Sequence, residues 1–176
     1  FGFSENDVWI GSSTSKIWRY FGTTWSVFSE HKIDGYDVTI LNNFDGLTPK
    51  DLYAVGFADN YRSEKAKGVI LHFNGGEWNN VGIPEKKMSF ESVAVDKNKT
   101  LVMSVTEIKN NMFYASLYTW DGRELIEHIS DYGWSHVTKL SNGEIFATLN
   151  TKIYKYNDKK FTLWRENSDV AINNNI

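Results

Sequence analysis

The sequence predicts an all-β fold made of repeated four-stranded antiparallel sheets, and three observations predict it. Short runs rich in β-branched and aromatic residues recur along the chain, each bounded by Gly, Asn, Asp, Ser or Pro. No segment shows a sustained 3.6-residue apolar period with helix caps, so essentially no helix is expected. The same set of elements also returns at a nearly constant interval: Asp7, Asp51, Thr100 and Glu144 stand 44, 49 and 44 residues apart.

The best-defined element is a hairpin. "RYFGTTW" (19–25), "HFNGGEW" (72–78), "TWDGREL" (119–125) and "KYNDKKF" (155–161) each run from an aromatic through a turn pair to Trp25, Trp78, Leu125 or Phe161. The turn pairs are Phe21-Gly22, Asn74-Gly75, Asp121-Gly122 and Asn157-Asp158. Asn-Gly and Asp-Gly suit two-residue type I′ turns, whose positive φ angles match the strand twist. Upstream, Ile17, Ile70, Leu117 and Ile153 hold one alternating strand position. Before each hairpin, "DVWIGS" (7–12), "DLYAVG" (51–56), "TLVMSV" (100–105) and "EIFATL" (144–149) align without gaps as a buried strand. Before these in turn come "YDVTILNN" (36–43), "FESVAVD" (90–96) and "WSHVTKLS" (134–141); the stretch after each hairpin supplies a fourth strand. Four strands, A to D, in about 40 to 50 residues are the signature of a β-propeller blade.

The chain of 176 residues is thus expected to be one β-propeller domain, with blades at about 1–35, 36–88, 89–133 and 134–167. The first blade lacks a full strand A. "DVAINNNI" (169–176) looks like "DVTILNNF" (37–44) and is expected to complete it, pairing around Val8 to Gly11 and hiding an open edge. Spacing agrees: Trp25 to Asp51, Trp78 to Thr100 and Leu125 to Glu144 span 26, 22 and 19 residues, and Phe161 to Asp7 across joined ends spans 22. Three arrangements stay open: a self-closed ring of four blades, a stretch of a larger propeller, and a head-to-tail pair making eight blades.

Composition narrows the function classes. The 19 basic and 22 acidic residues are interspersed, so no basic stripe offers itself to nucleic acid. No apolar run is long enough to span a membrane as a helix. The absence of cysteine removes disulfides, thiolate metal sites and cysteine nucleophiles. No charged-then-apolar leader is present, and the opening at Phe1 rather than Met points to a processed or cut start. His31, His72, His128 and His136 show no metal-binding spacing, and "DKNKT" (96–100) lacks the glycine and distal Glu of a calcium loop. No metal, cofactor or catalytic residue is therefore assigned.

The repeats "DLYAVG" with "VILHFNGGEW", and "DVWIGS" with "IWRYFGTTW", resemble those of bacterial propeller proteins that read "DVWAVG" followed by "ILHYDGTTW". The resemblance covers all four repeats and is good in the first two. It implies a propeller in an extracellular or bacterial cell-envelope setting more than it implies an activity. A more distant comparison is the Asp box of sialidase-like and sortilin-like propellers. Here Tyr20, Phe73 or Trp120 stands where the box has Asp, so these turns are hairpins only. The arginine cluster of a sialidase is not assembled either, because Arg19, Arg62, Arg123 and Arg165 fall on different faces.

Function is expected where connections vary. The B–C connections "FADNYRSEKAK" (57–67) and "EIKNNMFY" (107–114) are long, and in a propeller they share a face with the D–A connections. Candidate ligand-binding residues there are Asp59, Asn60, Tyr61, Arg62, Asn111, Phe113, Tyr114, Tyr132 and Trp134. The expected activity is a non-enzymatic binding or scaffold module for a protein or carbohydrate ligand, with self-association possible. A glycan-active hydrolase or lyase, and a structural piece of a larger assembly, are the alternatives. A chain ended at Asn167 is expected to melt well below the intact one, since it exposes an edge and part of blade 1; equal melting temperatures would remove the closing strand.

Overall fold

The computed structural model describes residues 1–60, 66–110 and 112–166. Sixteen strands fall into four sheets, and no helix occurs among the described residues. The first sheet holds β1 (Gly2–Ser4), β2 (Asp7–Gly11), β3 (Lys16–Tyr20) and β4 (Trp25–Glu30). The second holds β5 (Val38–Thr48), β6 (Asp51–Asp59), β7 (Ala66–Phe73) and β8 (Trp78–Asn80). The third holds β9 (Met88–Val95), β10 (Leu101–Lys109), β11 (Met112–Trp120) and β12 (Leu125–Tyr132). The fourth holds β13 (Ser135–Lys139), β14 (Ile145–Leu149), β15 (Lys152–Asn157) and β16 (Lys160–Glu166). Each is an antiparallel meander in chain order, the blade form expected of a β-propeller.

In the first blade the strand A place beside β2 is taken by Gly2–Ser4, with Phe1 and Trp9 exchanging backbone hydrogen bonds of 3.1 and 2.7 Å. The expected closing strand, Asp169 to Asn173, lies outside the described residues.

The turns differ from expectation in a way that follows from their residues. Blade 4 has no glycine in its hairpin, and its turn is the pair Asp158-Lys159, both at positive φ as type I′ requires. The other three carry positive φ only on Gly22, Gly75 and Gly122. In two of these the preceding Asn74 or Asp121 side chain accepts two backbone N–H bonds, from Gly76 and Glu77 or from Arg123 and Glu124, so the carboxyl or amide oxygen does the turning. "DKNKT" is likewise a turn: Asp96 Oδ1 accepts from the amides of Asn98 and Thr100, and Lys99 has φ 65°.

Alternation along the strands sends successive residues to opposite faces, and the faces stack into three cores. Trp9 and Ile17 of blade 1 meet Leu52, Ala54, Leu71, Phe73 and Trp78 of blade 2. Tyr53, Val55 and Ile70 of blade 2 meet Leu101, Met103, Val105, Tyr118 and Trp120 of blade 3. Ala94, Val102 and Leu117 of blade 3 meet Val137, Ile145, Ala147 and Tyr156 of blade 4. Among the described residues no such core joins blade 4 to blade 1. The recurrent aromatics therefore divide. Trp9, Tyr53 and Trp78 are buried as blade-to-blade packing demands, while Trp25 is about half exposed, and among the described residues no blade lies in front of it.

Trp78 sits in the centre of the first core, with ring centroids of Trp9, Phe44 and Phe73 at 5.5, 5.8 and 5.3 Å. Trp78→Ala is expected to cost about 3 to 5 kcal/mol in urea unfolding; a cost under about 1 kcal/mol would place the ring outside the core.

Candidate functional site

Two of the B–C connections leave the sheets as paired strands, not as the irregular loops that their polarity suggests. β10 and β11 pair without interruption to Lys109 and Met112, and β6 and β7 pair to Asp59 and Ala66. Both hairpins overshoot the five-residue strands of blade 1, so they form two arms on one face. The arms lie side by side. A cleft of about 240 Å³ separates them, lined by Phe57 and Ala66 from one and by Thr106, Ile108 and Phe113 from the other, with Met88 at its base.

The base of the second arm is tied by charge. Glu107 is buried, and its carboxylate accepts from Lys86 Nζ at 2.6 Å and Lys109 Nζ at 2.9 Å. Tyr118 donates to Glu127 at 2.6 Å while accepting from Lys86 at 2.7 Å. Burial opposes ionisation of Glu107, yet the hydrogen bonds and charges of the two lysines outweigh it and hold the carboxyl below its ordinary value. Burial and the neighbouring carboxylates push the Tyr118 phenol far up, so it is a fixed donor. A general acid working near neutral pH needs a carboxyl raised instead. This cluster is built to hold the arm.

Further along the face, the connection from blade 3 to blade 4 presents its aromatics outward. Trp134 is 84% exposed, and Tyr132 is exposed beside it. The backbone under them is fixed. Asn150 Oδ1 accepts the Trp134 amide at 3.0 Å, Asn150 Nδ2 donates to the Tyr132 carbonyl at 2.6 Å, and the Asn150 amide donates to the Trp134 carbonyl at 2.9 Å. Gly133, between the two aromatics, has φ 128°, and a Cβ there would stand 1.9 Å from Asn150 Oδ1. Only glycine fits. The Tyr132 ring meets Tyr114 edge-on at 6.3 Å, and Lys109 Nζ lies 5.7 Å from the Tyr114 centroid, which links this platform to the second arm.

Of the candidate residues, Tyr114 and Tyr132 meet, Trp134 shares the Asn150 latch with Tyr132, and Phe113 lies on the opposite face of its strand, in the cleft. Asp59 and Asn60 turn toward the connection between blades 1 and 2: the Asp59 carbonyl accepts the Asp37 amide at 2.9 Å, and Asn60 reaches the Gly35 carbonyl. Tyr61, Arg62 and Asn111 lie outside the described residues. Sequence reasoning missed Ile108 and Met112, both exposed on the arm, and the Asn150 latch, which is sixteen residues from the amide that it holds. The one available signal was the alternation of Ile108 with Glu107 and Lys109, a strand pattern inside an assumed loop. Among the described residues no group of three or more His, Asp or Glu side chains is placed to hold a metal ion.

Compared with models of known protein families and with curated proteins, the chain matches none.

Because the folded carboxyl of Glu107 lies below its unfolded value near 4.5, the stability that it contributes is complete above that value. It is lost as pH falls through the lower folded value. Glu107→Gln is expected to melt below the wild type at neutral pH, with the two melting temperatures converging in acid. A gap that stays constant from neutral to acid pH would show that the charge plays no part.

Proposed function

We propose that this chain is a non-enzymatic recognition module that engages a polypeptide through the face formed by its two arms and the blade 3–4 connection. The observation that carries this reading is Trp134, almost fully exposed on backbone that Asn150 and Gly133 hold rigid. A large aromatic with two rotatable bonds on a fixed backbone loses little conformational freedom on binding, which is why such residues dominate interface energetics. Ile108 and Phe113 on one face of the second arm, and Met112 and Tyr132 on its other face, are further exposed apolar side chains. The cleft beside them, apolar at Phe57, Met88, Ile108 and Phe113, fits an apolar side chain of a partner. The resemblance of the first repeats to bacterial envelope propellers supports an extracellular or envelope setting.

A glycan ligand is the second reading, favoured by the flat rings of Tyr132 and Trp134 flanked by the polar Asn150 and Asp131. Against a hydrolase or lyase stands the direction in which both Asp51 and Glu107 are held. Each is opposed by burial but overcome by basic partners, Lys99 and His72 for Asp51 and the two lysines for Glu107.

A displayed peptide library and a glycan array, both screened with the intact chain, test the proposal. A selected ligand is expected to lose about thirtyfold or more of its affinity with Trp134→Ala or Phe113→Ala, while melting shifts within about 0.5 kcal/mol. Unchanged affinity in both variants would move the binding face elsewhere on the molecule. Turnover of an arrayed glycan would replace the proposal with the enzyme reading.

A further inference from the structure

The sheet faces at the two ends of the blade row carry the two halves of one joint. In each sheet, the residue equivalent to Leu52 points toward the preceding blade and the next residue points toward the following one. Leu52, Leu101 and Ile145 are buried against a preceding blade. Val8 is their equivalent in blade 1, and among the described residues no blade lies in front of it. Register places Val8 with Tyr20, Ile10 with Trp18, Tyr20 with Trp25 and Trp18 with Val27. This leading face of blade 1 therefore holds six apolar side chains, with Lys16 opposite Glu30 at one end of it, and Ile10 and Trp25 are 47% and 46% exposed. Five of the six have equivalents in blade 2 that are buried against blade 1, Leu52, Ala54, Leu71, Phe73 and Trp78, while Asn80, at the place of Val27, is exposed.

The surface on which those blade 2 residues rest is the trailing face of blade 1. There Trp9 and Phe28 meet at 5.0 Å, Arg19 lies 4.3 Å over Trp9, and Asp7 holds the Arg19 guanidinium at 2.8 Å. Phe73 and Trp78 stand 5.0 and 5.5 Å from Trp9. Blade 4 repeats this arrangement. Phe146 and Trp164 meet at 5.4 Å, Lys155 lies 5.8 Å over Phe146, and Glu144 holds the Lys155 ammonium. Trp164, the equivalent of Phe28, is 59% exposed. Tyr20 and Trp25 on the leading face stand at the repeat positions of Phe73 and Trp78, the rings that lie on such a bed.

We propose that the leading face of blade 1 docks on the trailing face of blade 4 of a second copy of this chain. Two such joints related by a twofold axis close a head-to-tail pair into a ring of eight blades. The occupant is argued from continuity with the three joints inside the chain: one molecule carries both complementary halves, and among its described residues they share no core. A contact between two different faces is heterologous, so it closes into a ring or grows into a filament, and eight blades fall within the usual range of about four to eight.

Sedimentation velocity over a wide range of concentrations tests this. The intact chain is expected to form a species of twice its 20.3 kDa mass. Ile10→Lys alone and Trp164→Lys alone are each expected to be monomeric, since each spoils one half of every joint. Their equimolar mixture is expected to regain a two-chain species, held by the single joint between two unaltered faces. Near-ultraviolet circular dichroism confirms folding, and Trp25→Lys replaces Ile10→Lys should that variant unfold. An intact chain that is monomeric at every concentration overturns the proposal. So do single variants that still pair, which would indicate like faces in contact, and open chains of indefinite length.

Discussion

The inner strand of every blade has a backbone edge with no strand beside it, and the fold depends on how those amides are satisfied. An unpaired buried N–H costs about 1 to 3 kcal/mol, so a row of them would undo much of a small domain's stability. Here side chains of the neighbouring blade supply the acceptors. Ser15 Oγ takes the Thr39 amide at 2.9 Å, Asn43 Oδ1 takes that of Val93 at 3.1 Å, and Asp45 Oδ2 takes that of Val95 at 2.7 Å. Ser92 Oγ takes the Val137 amide at 2.7 Å. On the acceptor side, Lys139 donates to the carbonyls of Gly46 and Val95 and pairs with Asp45. This accounts for the buried Ser15, Asp45 and Ser92, which would otherwise be misplaced among apolar neighbours. The apolar wedges hold blades face to face, and the polar seam fixes how far one blade slides along the next.

A second recurring device lies on strands B and C, where strand B begins. An acid opens strand B, a basic side chain on strand C reaches back to it, and an aromatic shares the face of that side chain. Asp7, Arg19 and Trp9 form it in blade 1; Asp51, His72 and Tyr53 in blade 2; Glu144, Lys155 and Phe146 in blade 4. Blade 3 departs from it. Thr100, Thr119 and Val102 occupy the three places, and Thr119 bonds His128 at 2.7 Å, whose ring then meets Phe161 of blade 4 edge-on at 5.3 Å. The joint tolerates this exchange because it needs a flat, partly polar surface of a given thickness, which an imidazole also provides.

These devices explain how much could be read in advance. The blades were legible because the rules that make them are local: alternation, turn residues and a period near 45 residues act within one sheet. Strand B and the hairpins were placed by Leu52, Phe73 and Trp78 and their equivalents without reference to any other blade. Between blades, the packing of the recurrent Trp9, Tyr53 and Trp78 was legible, and the polar seam was not. The glycine turns were misread because type I′ asks for two positive φ angles, whereas Asn74 and Asp121 turn the chain with a side-chain oxygen. The arms looked like loops because "EIKNNMFY" is polar, although its alternate residues pair across to Lys109 and Met112. Phe113, Tyr114, Tyr132 and Trp134 were found as aromatics in variable connections. Their support was not, since Asn150, Lys86 and Glu107 reach them from other strands.

The polar seam also has a direction. Ser15 caps blade 2, Asn43 and Asp45 cap blade 3, and Ser92 caps blade 4, so in each pair the acceptor is made before the amide that needs it. A chain synthesised from its N-terminus thus finds, for each new blade, a partner already in place. Every sheet is a meander of consecutive strands, which keeps pairing local and fast to form. Growth on the ribosome can then proceed one blade at a time, each addition templated by the last, with no need to wait for the final residue before the first core is dry.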